Sequence, residues 1–317
     1  MFTISHHTFG PFTEIKMENT GTGEYVTVIP ECGGAVNQHF LSKGNKLVKV
    51  LKGFDNPHEW ESKGIKDYYG VKLFPFPGRI NNGTYQHEGN VYQLDTNDTK
   101  LQHALHGLVF NQTFALLNTQ ETEDFAQITL AHKSNGSAKN YPFAHQIQIT
   151  YRLDKNGFEC RSSIRNNDRR KMPVGDGWHP YFNVSTNADA MHLQVSSDEI
   201  LEHDVALIPT GKTMTVNKYV QLSQIGDDPL FYCFKLNGGE AAHTTVLYDP
   251  ETDVRINVRQ QTGFRKYNYL QLYVPPDRSA IAIEPYTCPS DAFNSGIGLI
   301  ELNPDEDFSL SFGISVQ

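Results

Sequence analysis

Alternation of apolar and polar residues with a period of two dominates this chain and predicts β-strands. The run Phe158–Arg165 places small or apolar residues at its even positions and charged or polar residues at its odd positions. The run Ile147–Leu153 alternates in the same way. Asn156-Gly157 lies between the two runs, and Asn-Gly is a strong turn signal, so we expect one β-hairpin here.

The same pattern continues through most of the chain. A second hairpin is predicted from Thr244–Tyr248 to Val254–Val258. Further strands are predicted at Tyr25–Ile29, Leu47–Leu51, Val91–Leu94, Phe125–His132, His192–Ser196, Phe231–Leu236, Tyr269–Val274, Ser279–Glu284 and Phe308–Val316. Helical patterning is scarce and is confined to Pro57–Gly64 and one turn at Ser290–Asn294. These elements predict an all-β sandwich of large antiparallel sheets, formed by a single domain over residues 1–317.

Composition narrows the function classes. The 317 residues are 38% hydrophobic and 20% charged, which is typical of a globular protein. A net charge of −9 argues against a nucleic-acid partner. We find no apolar run near the ~20 residues of a membrane span and no signal-peptide pattern, so we expect a cytoplasmic protein, monomeric or homodimeric. The cysteines lie far apart, which favours reduced core thiols: Cys32, Cys160, Cys233 and Cys288.

A rigid, polar loop is predicted around Arg79. Two prolines and two glycines flank the arginine and two asparagines in the stretch Phe74–Tyr85. Prolines stiffen the backbone, and the five guanidinium donors can bind hydroxyls or an anion. The alternative is a surface turn with a solvated arginine.

Two histidines stand three positions apart at His103 and His106. The glycine after His106 allows close backbone approach to a site. A metal site is disfavoured because the flanking residues indicate loop and strand and no third ligand is near. His106 is a candidate functional residue, with a hydrogen-bonded structural histidine as the alternative.

A possible acid/base pair comes from His179 and Glu284. His179 stands between Trp178 and Pro180, with aromatic neighbours that can wall a pocket, and Glu284 follows an apolar strand and precedes a proline. Burial raises the pKa of a carboxylate, and a histidine titrates near neutrality, so the two can exchange protons at pH 7. The alternative for His179 is a core histidine in an aromatic cluster.

An acidic pair, Asp227 and Asp228, precedes a predicted aromatic strand. Carboxylates at this position can accept hydrogen bonds from sugar hydroxyls. An Asx turn or a solvated loop explains the same residues.

Taken in order, these motifs resemble the aldose 1-epimerase (galactose mutarotase-like) family. The matching segments are Pro77–Tyr85, Leu105–Phe110, Gly177–Asn183, Pro209–Gly211 with the later acidic pair, and Ile283–Pro285. The resemblance runs from about Tyr25 to the end of the chain. It implies a β-supersandwich fold and the interconversion of the α and β anomers of a free aldohexose.

The resemblance also implies roles for individual residues. His179 would be the general acid toward the ring oxygen, and Glu284 the general base toward the anomeric hydroxyl. Arg79 and His106 would hold the sugar and polarise its ring or hydroxyl oxygens, and Asp227 or Asp228 would accept a hydrogen bond from a sugar hydroxyl. Opening a hemiacetal moves only protons and a C–O bond, so no cofactor and no metal is expected.

One residue departs from the family pattern, because Gly78 stands where the family commonly has asparagine before the arginine. Two alternative functions stay open. A hexose-6-phosphate mutarotase would need further cations near Arg79, for which Arg265 and Lys266 are candidates. A non-catalytic sugar-binding or sugar-sensing protein would be expected to lack the acid or the base, and the chain has both.

Overall fold

The computed structural model describes residues 1–44, 46–184, 187–236, 239 and 241–317. Almost all of its regular structure is antiparallel β-sheet, as the period-two pattern predicts. The largest sheet has nine strands in the spatial order Ala115–Glu121, Phe125–Asn135, Ala144–Asp154, Gly157–Asn166, Asp307–Val316, Val254–Gln261, Ala242–Asp249, His192–Val195 and Ser223–Gln224. Both predicted hairpins are confirmed within it.

The second large sheet has eight strands. Seven follow the spatial order Pro209–Thr215, Glu199–His203, Tyr232–Lys235, Tyr269–Tyr273, Ile281–Tyr286, Gly177–Trp178 and Lys72–Leu73, and Tyr181–Phe182 pairs with Ile281–Tyr286 beside them. A five-stranded sheet contains Phe2–Phe9, Phe12–Asn19, Tyr25–Ile29, Ala35–Lys43 and Lys46–Lys49. Three strand pairs complete the set: Arg79–Ile80 with Ala104–Leu105, Thr84–His87 with Asn90–Gln93, and Met172–Val174 with Ile300–Leu302.

Helical segments are short. One runs over residues 57–67 as Pro57–Glu59, a π-helical turn at Trp60–Gly64, and Ile65–Asp67. The others are the 3-10 turns Asn81–Gly83 and Ala188–Ala190 and the α-helical turn Ala292–Ser295. No helix in the described part of the chain is long and apolar enough to cross a membrane.

The main core lies between the nine-stranded and eight-stranded sheets. Trp178 of the eight-stranded sheet packs its ring 5.9 Å from Tyr151 and 5.7 Å from Phe312, both on the nine-stranded sheet. Neighbouring strand residues point to opposite faces. Since Ile283 is in this core, Glu284 must project from the other face of the eight-stranded sheet. All four cysteines are buried and unpaired.

Candidate active site

Glu284 occupies the middle of the eight-stranded sheet. Its strand, Ile281–Tyr286, is buried at every residue, and Glu284 itself is only 1% exposed. The residues that precede the carboxylate along the strand are apolar, so the Glu284 side chain is shielded from water. Tyr286, two residues later on the same face, donates a hydrogen bond of 2.5 Å to Oε2 of Glu284. The carboxylate is therefore buried but not unpartnered.

His179 is held beside Glu284 by backbone pairing. Its N–H donates to the carbonyl of Val71 at 3.2 Å, and its carbonyl accepts from the N–H of Gly70 at 3.0 Å. Pro180 restricts the residue before it to an extended conformation. Nε2 of His179 lies 3.4 Å from Oε2 of Glu284. The two groups that the sequence motifs singled out are thus adjacent.

Burial shifts the pKa of each group in the direction that favours its neutral form. Burial raises the pKa of Glu284 to about 8, against the opposing effects of the Tyr286 hydrogen bond and the Arg79 charge. Burial lowers the pKa of His179 to about 3. Between these values the pair holds a single proton, because desolvation penalises the charged form of each group. A pair of this kind can release or accept a proton without passing through a large net charge.

His106 forms a third side of the site. Its ring centroid lies 5.0 Å from that of His179 and 4.5 Å from that of Tyr68. The N–H of Gly78 donates to Nδ1 of His106 at 3.3 Å, which assigns the ring proton to Nε2. Burial and the charges of His179 and Arg79 hold the pKa of His106 well below its usual value. His106 is therefore a neutral hydrogen-bond donor.

Glycines let two loops approach each other here. A Cβ on Gly107 would come within 2.2 Å of the carbonyl oxygen of Phe74. A Cβ on Gly78, whose φ is +62°, would come within 2.4 Å of Oγ of Ser290. Ser290 fills the space beside Gly78 and accepts the backbone N–H of Arg79 at 3.1 Å. This packing gives a physical reason for glycine at position 78.

Arg79 is not a solvated surface turn. Its side chain is 15% exposed and its Nε donates to Oδ2 of Asp98 at 3.1 Å. Strand pairing sets Arg79 opposite Leu105, the residue before His106, and the guanidinium charge lowers the pKa of both Glu284 and His106. The structure therefore brings Arg79, His106, His179 and Glu284 together.

Trp178 lies on the other side of the sheet from these residues. Its indole N–H donates to the hydroxyl of Tyr267 at 3.1 Å, and its ring packs in the main core. Adjacent residues of an extended segment point in opposite directions, so Trp178 and His179 cannot both face the site. The aromatic wall at the site comes from Tyr68 and Tyr181, whose rings lie 6.2 and 4.8 Å from that of His179.

Asp228 of the acidic pair binds other residues, whereas Asp227 does not take part in these contacts. The carboxylate of Asp228 accepts from the hydroxyls of Tyr219 at 2.8 Å and Tyr232 at 3.2 Å, and from the N–H of Leu230 at 2.9 Å. Asp227 is exposed. These contacts agree with the Asx-turn alternative for Asp228. Among the residues that the structure describes, neither aspartate makes a hydrogen bond or ion pair with His179, Glu284 or Arg79.

His103 has a structural place. Its Nδ1 accepts the N–H of Asn82 at 3.0 Å, and its Nε2 lies 3.1 Å from the carbonyl oxygen of Ala206. These bonds tie the loop after Arg79 to a neighbouring turn. Within the described residues no group of three or more His, Cys, Asp or Glu side chains is placed to hold a metal ion.

Sequence reasoning missed several residues at the site. Tyr286 was detectable, because a period of two along Ile281–Tyr286 puts it on the same face as Glu284. Gln271 is 8% exposed and lies directly opposite Glu284 on the neighbouring strand, and Asp98 anchors Arg79. No local signal marks these two, since their positions depend on strand register and on loop packing.

Comparison with known proteins identifies the relatives of this chain. Residues 15–315 match the family model described as aldose 1-epimerase. The chain is 26% identical to an aldose 1-epimerase of Streptococcus thermophilus, covering 97% of this chain and 94% of that protein. It is 27% identical to the uncharacterized protein YihR of Escherichia coli, covering 81% and 82%.

Solved structures support the fold. A galactose mutarotase-like protein from Clostridium acetobutylicum superimposes with a TM-score of 0.87 at 21% identity, over 100% of this chain and 98% of that one. The predicted all-β, galactose mutarotase-like fold is therefore confirmed. Since the family model matches nearly the whole length, this chain belongs to the aldose 1-epimerase family.

Proposed function

We propose that this protein is an aldose 1-epimerase that interconverts the α and β anomers of a free hexose. The observation that carries the proposal is the buried His179–Glu284 pair, whose Nε2 and Oε2 atoms are 3.4 Å apart. Burial sets the pKa values of these two groups on either side of neutrality. Such pairs are what acid/base chemistry at pH 7 requires.

The reaction needs two proton transfers. A cyclic aldose is a hemiacetal, and its ring opens when the C1 hydroxyl loses its proton while the ring oxygen gains one. Rotation about the C1–C2 bond and closure on the other face reverse both transfers. No electrons are exchanged with a carrier, so neither a metal nor an organic cofactor is needed. Each positioned transfer accelerates the reaction by ~10²–10⁴-fold.

The proton held by the pair accounts for both transfers. We assign the base role to Glu284 and the acid role to His179. In the unliganded site the proton resides on Glu284, so the acid form of His179 arises by transfer between the two groups. Ring opening then returns a proton to Glu284 from the C1 hydroxyl and takes one from His179 to the ring oxygen. The open-chain state thus has the protonation of the resting pair.

Arg79 and His106 are assigned to sugar binding. Asp98 fixes the Arg79 guanidinium at its Nε, which leaves the terminal nitrogens for sugar oxygens. The assigned Nε2–H of His106 is a second donor, neutral in this case, on a ring whose centroid lies 5.0 Å from that of His179. Donors of both kinds bind hydroxyl oxygens without removing protons from them.

The hexose-6-phosphate alternative gains no support from its candidate cations. Arg265 donates to Glu306 and to the carbonyl of Glu301, and Lys266 donates to the carbonyl of Ser309. These contacts hold both cations against structural elements other than the one that carries Arg79. A binding-only role does not account for the buried acid/base pair.

Polarimetry tests the proposal directly. Fresh α-D-glucose and α-D-galactose are followed with wild-type protein, with Glu284→Gln and with buffer. We expect wild type to accelerate the change in rotation. Glu284→Gln should be at least ~10²-fold slower, since one proton transfer is removed. Sugar binding, measured by calorimetry, should persist in the variant. Equal rates for wild type and Glu284→Gln would contradict the assignment of the base.

A further inference from the structure

A buried ion pair lies in the main core, on the opposite side of the eight-stranded sheet from Glu284. Nζ of Lys72 donates a hydrogen bond to Asp176, and both side chains are 0% exposed. Lys72 is the direct strand partner of Trp178, so the two side chains share a face, and Nζ lies 4.7 Å from the centroid of the indole ring. The acid/base chemistry proposed above uses neither charge.

Full burial makes this pair a poor source of stability. Removing two charges from water carries a desolvation penalty that their mutual attraction does not fully offset, and apolar residues of similar volume often give equal or greater stability. Lysine and aspartate are almost never fully buried unless they are paired. A gain in folding free energy is therefore a weak explanation for Lys72 and Asp176, and the contacts of the pair indicate another role.

Asp176 connects the pair to the strand of Glu284. It stands three residues before His179, and its backbone N–H donates to Oγ1 of Thr287 at 2.9 Å. The N–H of Thr287 donates in return to the carbonyl of Asp176 at 2.9 Å. Thr287 directly follows Tyr286, the last residue of the strand that carries Glu284. The aspartate therefore joins the segment before His179 to the end of that strand.

Lys72 connects the pair to the backbone that holds His179. Val71, the residue before Lys72, accepts the N–H of His179 at 3.2 Å, and Gly70 donates to the carbonyl of His179 at 3.0 Å. Nζ of Lys72 also donates to the carbonyl oxygen of Gly177 at 3.4 Å. A displacement of Lys72 would therefore carry with it the two residues that fix the backbone of His179.

A tyrosine fixes the direction of the aspartate. The hydroxyl of Tyr267 donates to Oδ1 of Asp176 at 2.9 Å and accepts the indole N–H of Trp178, the neighbour of His179, at 3.1 Å. Charge-assisted hydrogen bonds have preferred lengths and angles, whereas the burial of apolar surface is not directional. This network therefore holds the segment of His179 in one place, which apolar residues of the same volume would not do.

Resting on the proposed function, we propose that Lys72 and Asp176 are positioning residues for mutarotation. They place the segment of His179 against the strand of Glu284 and so maintain the 3.4 Å separation of Nε2 and Oε2. They act through these two residues and not on the sugar, since they lie on the other side of the sheet. A misplacement of about 1 Å at a reacting group can cost about 10²-fold in rate.

Sugar binding depends on different contacts. Asp98 holds the guanidinium of Arg79, and the N–H of Gly78 donates to the ring of His106. Neither contact involves the buried pair. Loss of the pair should therefore lower kcat and leave the KM for the hexose almost unchanged. General loosening of the fold would instead lower stability and change both constants.

Mutarotation kinetics of Lys72→Met/Asp176→Asn, with the faster of glucose and galactose, test this proposal. The double variant removes both charges together and keeps an acceptor for the hydroxyl of Tyr267. No charge is left unpaired, so the midpoint of urea unfolding should stay at or above that of wild type. We expect kcat to fall about tenfold or more, with KM changed by less than about twofold. Ile256→Val, a buried substitution on the nine-stranded sheet, is the control that should lower the midpoint and leave kcat unchanged.

The outcomes separate this proposal from the proposed function. If wild type accelerates neither hexose, the mutarotase assignment itself is contradicted. If wild type is active and the double variant keeps its kcat, only the positioning role is overturned, and an equal fall of kcat in Ile256→Val overturns it too. If the double variant does not fold, Thr287→Val tests the same link, because it removes the acceptor for the N–H of Asp176. Its kcat should fall about threefold or more at unchanged KM, and an unchanged kcat would overturn the positioning role.

Discussion

The hydroxyl of Tyr286 donates its 2.5 Å hydrogen bond to the same oxygen of Glu284, Oε2, that lies 3.4 Å from Nε2 of His179. One carboxylate oxygen therefore meets both the phenol and the imidazole. Hydrogen bonding to the ionised form of Glu284 lowers its pKa, whereas burial raises it. The hydrogen bond from Tyr286 thus offsets part of the rise in the pKa of Glu284 that burial causes.

Removal of this phenol should shift the pH dependence of activity. In Tyr286→Phe the carboxylate loses a donor, so its pKa rises further above about 8. Activity that declines as the pair loses its proton should decline at a higher pH in the variant than in wild type. The pH–rate profile of mutarotation measures this shift. Tyr269→Phe, on the neighbouring strand opposite Tyr286, is the control. An alkaline decline at the wild-type pH would exclude the tuning role.

Stability should respond to pH through Glu284. Its pKa is raised from an unfolded value of 4.5 to about 8, so its ionisation disfavours the folded state as pH rises through this window. Glu284→Gln removes that ionisation. Relative to wild type, the variant should gain stability between pH 4.5 and about 8, by on the order of a few kcal/mol, and no further above that window. Urea unfolding of both proteins at several pH values measures the difference, and a difference constant with pH would refute it.

The two aspartates should separate a structural role from a substrate role. Asp228→Ala removes the acceptor of two tyrosine hydroxyls and one backbone N–H, so we expect a loss of about 2 kcal/mol in unfolding free energy. Asp227→Ala, at an exposed position, is the control and should change stability little. Thermal unfolding and the KM for hexose are measured for both. A raised KM at unchanged stability in Asp228→Ala would instead indicate that Asp228 binds the sugar.

Gly78 should resist substitution for a packing reason. Its φ of +62° strains any side chain, and a Cβ would meet Oγ of Ser290 at 2.4 Å. Gly89→Ala is a matched control, because φ is +78° there and no atom lies within 4 Å of the added Cβ. We expect Gly78→Ala to lose about 1–3 kcal/mol more stability than Gly89→Ala. Equal losses in chemical denaturation would show that Ser290 yields without cost.

Strand prediction was accurate for a short strand buried on both faces and for a hairpin whose strands each bury one face. Tyr25–Ile29 has the predicted bounds, and both strands of the hairpin around Asn156-Gly157 run one to three residues beyond the predicted bounds at each end. The strands Phe2–Phe9 and Phe12–Asn19 were not predicted. Both carry several half-buried or exposed residues, so their pattern is weak and their pairing depends on tertiary contacts.

By itself, the sequence determined the all-β class and the local motifs, and it singled out His179 and Glu284 as a candidate acid/base pair. These properties depend on side-chain periodicity and on residues a few positions apart, so they are local in the sequence. The tertiary structure alone decided which groups meet. Register brings Gln271 and Tyr273 to the face of Glu284, and loop packing brings Asp98 to Arg79. Pairing between distant strands depends on long-range packing of whole sheets, and no local pattern encodes it.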